Sequence, residues 1–186
     1  MNGPKYFLLL ASMCFAASSV ADDEMHAHYL ANAGVLIANG ETKIVFDPLF
    51  DKDYGIYERV PPDIEAALMS GEPPFDGLDA VFVSHHHGDH FSPQRMLGLL
   101  RAHPDIQLFA PEQAIDALPF ADSDGGIERR VHAIALDFEG RFAATLGTIE
   151  VNAVRIPHSG WPKRHTEVEN LAFHVTLDQQ ATVLHM

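Results

Sequence analysis

The chain has almost no cysteine. Its single cysteine, Cys14, falls in an apolar N-terminal stretch, so the remainder carries no thiol. That excludes a disulfide framework, a thiolate metal ligand and a cysteine nucleophile, and leaves any metal work to nitrogen and oxygen donors. Basic residues are also scarce: 12 Lys and Arg stand against 26 Asp and Glu, a formal net charge of −14. Such a surface repels phosphate backbones and argues against nucleic acid as a partner. Long hydrophobic runs are missing too, and the apolar run of residues 6–17 is short for a membrane span. It follows Lys5 and precedes Ser19, Val20 and Ala21, small residues at a cleavage position. This pattern predicts a secretory signal peptide over residues 1–21, cut after Ala21, and a periplasmic or secreted protein with no stable membrane anchor. Met13 is bulky for the position before a lipoprotein cysteine, which makes Cys14 a weak signal of that kind.

What the sequence does have is histidine, concentrated at His85-His86-His87-Gly88-Asp89-His90. The cluster follows the apolar run 80–84, which reads as a short buried strand, and precedes Ser92-Pro93, which reads as a helix N-cap with proline at the first helical position. It therefore lies where a strand ends and a helix begins, where ligands gather in α/β proteins. In extended backbone, side chains two apart point the same way. His85 and His87 converge on one ion, while His86 points elsewhere. Gly88 lets the chain turn, and Asp89 and His90 arrive from another angle, suited to a second ion about 3.5–4 Å away. A solvated histidine-rich loop is the bland alternative.

The motif His-x-His-x-Asp-His resembles the signature of the metallo-β-lactamase-fold hydrolase superfamily, in particular its broad metal-dependent hydrolases and lactonases. The resemblance covers most of the chain after residue 25 but only the front of the family's domain. It implies an α/β fold, the αββα sandwich, here incomplete: a first sheet and the start of the second half. It implies Zn2+, one or two ions, with iron or manganese as alternatives. It implies a small-molecule substrate and a metal-activated water that attacks an ester, lactone, amide or phosphoester.

The rest of the chain fits this frame. Residues 26–50 read as a hairpin around Asn39-Gly40, ending at Asp47-Pro48. The resemblance gives Asp47 the role of orienting a ligand histidine. His26 and His28 read as strand-face residues. Residues 51–79 form a long irregular insertion, a candidate lid, with a short helix over 62–69; Tyr54, Tyr57 and Phe75 are its candidate substrate contacts. A helix over 93–103, a strand over 106–110 and a helix over 111–118 give an α/β rhythm. Strands over 131–136 and 143–146 are expected around the Glu139-Gly140 turn, followed by a strand over 148–156.

That last strand delivers His158, which matches the family's third histidine for the first ion. His165, in a polar loop, is a candidate for contact with substrate or solvent, and Trp161 a candidate border of the pocket. His174 reads as structural. A second hairpin joins 171–176 to 181–185. The family places an aspartate that bridges the two ions directly after such a strand, and a last histidine later. The sequence holds neither, and His185 matches neither position. A domain truncated at its C-terminus (residues 22–186) is therefore expected, with exposed sheet surface and a weak second ion held by Asp89 and His90. Asp89 is also the candidate for orienting the nucleophile. A metal-binding protein without catalysis is the competing reading.

Overall fold

The computed structural model describes residues 25–121 and 124–186; the expected signal peptide lies outside the described residues. From His26 the chain runs as three antiparallel strands: β1 (His26–Ala31), β2 (Gly34–Asn39) and β3 (Thr42–Phe46). The sequence predicts one hairpin here. The extra reversal falls at Asn32, whose φ of 47° is a left-handed conformation that asparagine tolerates. The next turn, Asn39-Gly40, joins β2 to β3 as its sequence predicts.

From β3 the sheet continues in parallel register, with β4 (Ala80–Phe82), β5 (Gln107–Pro111) and β6 (Val131–Ile134) in that order. The intervening chain supplies α1 (Pro62–Ser70), α2 (Pro93–Ala102), α3 (Glu112–Asp116) and α4 (Gly125–Glu128). Both faces of β4 are buried, which explains its unbroken apolar sequence. Val81 faces the helices with Leu68, Met96, Leu99 and Ala114, whereas Ala80 and Phe82 face a second sheet. Ser92 stands at the N-cap of α2 as expected, but its hydroxyl donates to Asp51 Oδ2 (2.5 Å) instead of capping the helix.

The second sheet has the order β10-β9-β8-β7, all antiparallel. Its strands are β7 (Arg141–Leu146), β8 (Ile149–Ile156), β9 (Asn170–Leu177) and β10 (Ala181–His185). The strands on either side of Glu139-Gly140 are thus not a hairpin: β6 closes the first sheet and β7 opens the second. Phe46, Phe82, Phe109 and Phe173 fill the space between the sheets with ring centroids 5.0–6.3 Å apart. Far from the site, Asp178 accepts hydrogen bonds from Asn39, Thr42 and Thr148 and so ties the sheets together. The layers are helix, sheet and sheet, three of the four that the resemblance implies, without a fourth layer among the described residues. No helix among the described residues is long and apolar enough to cross a membrane.

Candidate metal centre

The first sheet presents its C-terminal strand ends to one edge of the sandwich, and the histidine motif leaves β4 there. Backbone bonds hold its turn: the His90 and Phe91 amides both donate to the His87 carbonyl at 2.9 Å. Asn32, in the β1–β2 turn, donates to the Asp89 carbonyl at 2.7 Å. From the second sheet, β8 ends at Ile156, and His158 follows two residues later. Its ring centroid lies 4.7 Å from those of both His85 and His87. One nitrogen each of His85, His87 and His158 lie within 4.8 Å of one another, and so do ligand atoms of His85, Asp89 and His90. The structure brings all five residues to one place and shares His85 between the two groups.

Asp47 sits beneath them, fully buried at the end of β3, with a φ of 39°. Its Oδ1 accepts from the Ser84 amide (2.7 Å). Its Oδ2 takes the Ser84 hydroxyl (2.6 Å), His90 Nδ1–H (2.9 Å) and His185 Nε2–H (3.2 Å). Burial pushes this carboxyl up, but the hydrogen bonds and charges of His185 and His90 outweigh it and hold Asp47 well below the usual carboxylate range. His185, which has no role in the sequence motif, also stacks on Phe46 at 4.5 Å. Strand alternation was the available signal, since 181, 183 and 185 share the less exposed face of β10.

The hydrogen-bond partners determine where the histidine protons sit. Ser84 gives its only hydroxyl proton to Asp47, an ionised acceptor, so its oxygen accepts from His85 Nδ1–H at 3.1 Å. The Ser159 carbonyl accepts from His158 Nδ1–H at 3.1 Å. Both Nε2 atoms are then bare lone pairs, and they face each other at 3.2 Å. Two bare nitrogens at that separation repel unless a cation lies between them. Four ligands about 2.0 Å from a zinc ion stand roughly 3.3 Å apart, a tetrahedral edge close to that separation. A proton on His85 is a poor substitute for a metal here. Burial, reinforced by the neighbouring imidazoles, pushes His85 down to about 3, and the same causes lower His87. His90 goes the other way: burial lowers it, but the Asp47 hydrogen bond and charge raise it above its ordinary value. Its Nε2 lies 3.7 Å from Asp89 Oδ2.

These groups floor a cavity of about 550 Å³. Tyr54, Ile56 and Tyr57 line it on one side, and Ser159, His165 and Asn170 also border it. The His165 ring lies 5.3 Å from His158 and 5.6 Å from His87, outside both candidate ligand groups. Phe75 does not reach the cavity. It is buried in the core between helices and sheet. Trp161 packs edge-on against Phe138 and is not a lining residue. His174 lies on the exposed outer face of β9. His86 lies in neither ligand group, its Nδ1 buried without a partner among the described residues.

Residues 42–186 match the model of the beta-lactamase superfamily domain. The chain belongs to this superfamily. Its fold is similar to that of a protein assigned as a metal-dependent hydrolase from Parabacteroides distasonis ATCC 8503 (TM-score 0.55, 13% identity, 87% of this chain and 59% of that one). It is similar also to a second protein so assigned, from Veillonella parvula DSM 2008 (TM-score 0.54, 16% identity, 87% of this chain and 62% of that one). The superfamily member described here thus spans about three fifths of the length of these structures. No curated protein matches it in sequence.

Proposed function

We propose that this superfamily member carries the metal centre of a zinc-dependent hydrolase acting on a small-molecule ester, lactone, amide or phosphoester outside the cytoplasm. The observation that carries the reading is the pair of bare nitrogens, His85 Nε2 and His158 Nε2, facing each other at 3.2 Å. The donors are imidazole and carboxylate, a set that suits zinc and also iron or manganese. His85, His87 and His158 would hold one ion, and Asp89 and His90 would help to hold a second. When bound, such ions polarise the substrate's oxygen and bring a water's pKa near 7.

The chain's own residues do the rest. Asp47 and Ser84 fix the proton positions of His85 and His90, so that each presents Nε2 to the cavity. Asp89 borders the cavity beside them, placed to accept a proton from an attacking water. The test is metal content together with ester turnover. The wild-type chain should retain zinc after gel filtration and release acid from activated esters. His87→Ala should lose ion from the first group and its activity with it. Unchanged metal content in His87→Ala would overturn the ligand assignment.

A further inference from the structure

Three large apolar side chains crowd into four residues, Tyr54-Gly55-Ile56-Tyr57, and stay in solvent: Tyr54 is 62%, Ile56 75% and Tyr57 39% exposed. This is not a slack loop. The Asp51 and Lys52 amides both donate to the Gly88 carbonyl, at 3.0 and 2.7 Å, which anchors the segment to the histidine motif itself. The Ile56 and Tyr57 amides donate to the Asp53 carbonyl, and the Gly55 amide to the Asp53 carboxylate. Arg59 closes the turn through Asp53 Oδ2 (2.8 Å) and the Asp51 carbonyl (3.1 Å). The charged side chains Asp53 and Arg59 are therefore paired with each other inside the turn. The three apolar ones all line the cavity of the metal centre. Among the described residues that line it there is no Lys, Arg or Glu, and Asp89 is the one acidic side chain. Away from the candidate metal ligands, a braced turn that presents apolar area to a lining without lysine or arginine fits an uncharged apolar arm. It offers no fixed cationic side chain to a phosphate or carboxylate arm.

We propose that Tyr54, Ile56 and Tyr57 form an apolar lip that holds the non-reacting arm of the substrate, so that the site takes neutral aliphatic acyl esters or lactones and discriminates by the length of the acyl arm. This rests on the hydrolase reading and narrows it. The reacting group lies over the histidines, and the arm lies along the lip.

The experiment uses the full chain loaded with zinc, with p-nitrophenyl acetate, butyrate and octanoate and with p-nitrophenyl phosphate. Each methylene laid on the lip should raise kcat/KM by about two- to fourfold, mainly through KM. The double variant Tyr54→Ser/Ile56→Ser should flatten this series and keep its metal content, since both side chains are exposed and neither is a candidate ligand. A flat series in the wild type, an unchanged slope in the variant, or preference for the phosphate overturns the lip. If no ester turns over at any length, the hydrolase reading fails, and calorimetry with octanoate against acetate still decides the lip. Octanoate at least tenfold tighter in the wild type alone supports it, and equal affinities overturn it.

Discussion

Replacing Asp47 by alanine takes one acceptor away from four donors: the Ser84 amide, the Ser84 hydroxyl, His90 and His185. All of them lie in or at the edge of the core, so the loss should cost about 3 kcal/mol in urea unfolding of the metal-free protein. Zinc affinity, measured by chelator competition, should fall roughly 10–100-fold as His85 and His90 lose their fixed proton positions. The pH dependence follows from the same residues. His85, held down at about 3 against an ordinary 6.5, binds a proton more readily unfolded than folded. Its contribution to stability is therefore complete above 6.5 and is lost as pH falls from 6.5 toward 3. His90, raised, does the opposite: its contribution is complete below 6.5 and is lost only as pH rises through its folded value. Between pH 6.5 and about 5, before most carboxylates titrate, the melting temperature of the metal-free protein should fall, and it should fall less in His85→Asn. A flat profile in that window would contradict the burial of His85. The sequence made His85, His87, Asp89 and His90 conspicuous because one motif puts them side by side in the chain, and Asp47 because it stands at the Asp47-Pro48 turn where the resemblance expects an aspartate. The role of Ser84 was not legible, since it depends on a contact 37 residues away that only pairing of β3 with β4 creates.

At the scale of elements, β4 is three residues long and yet is the axis of the molecule. Phe82 stacks on Phe46 at 5.0 Å and on Phe109 at 5.2 Å and meets Phe173 edge-on at 5.2 Å. Phe82→Ala should therefore cost about 3–5 kcal/mol in urea unfolding, with the histidine motif, three residues on, loosened as well. Element positions were largely readable from apolar runs, prolines and turn residues: α1, α2, β5 and the β9–β10 hairpin lie close to where the sequence puts them. Sheet membership was not readable for β6 and β7. Alternation tells which face of a strand is buried, but both sheets bury a face against the same core, so the pattern does not say which sheet a strand joins. Phe75 shows the same limit. An aromatic residue in an irregular segment has the same sequence signature whether it reaches a cavity or closes a core.

Across the whole molecule, the candidate ligands come from both sheets, four from the end of β4 and His158 from the end of β8. A metal ion held there would fasten the two sheets at their common edge, with Asp178 fastening them at the other. Removing the ion with a chelator should therefore raise amide exchange in residues 157–169 and at the end of β8, and leave β3, β4 and β5 protected. Equal exchange with and without chelator would mean that no ion joins the sheets. The turn at residues 51–60 has a different consequence. It is held by its own main chain and by the Asp53–Arg59 pair, without a hydrogen bond from the side chains at 54, 56 and 57. Those three codons can drift while the scaffold stays constant. Divergence of substrate range among descendants of this gene should collect there first, and a library at these three positions that leaves out proline, and β-branched residues at 54 where φ is 48°, is a small one that samples new selectivities on an intact turn.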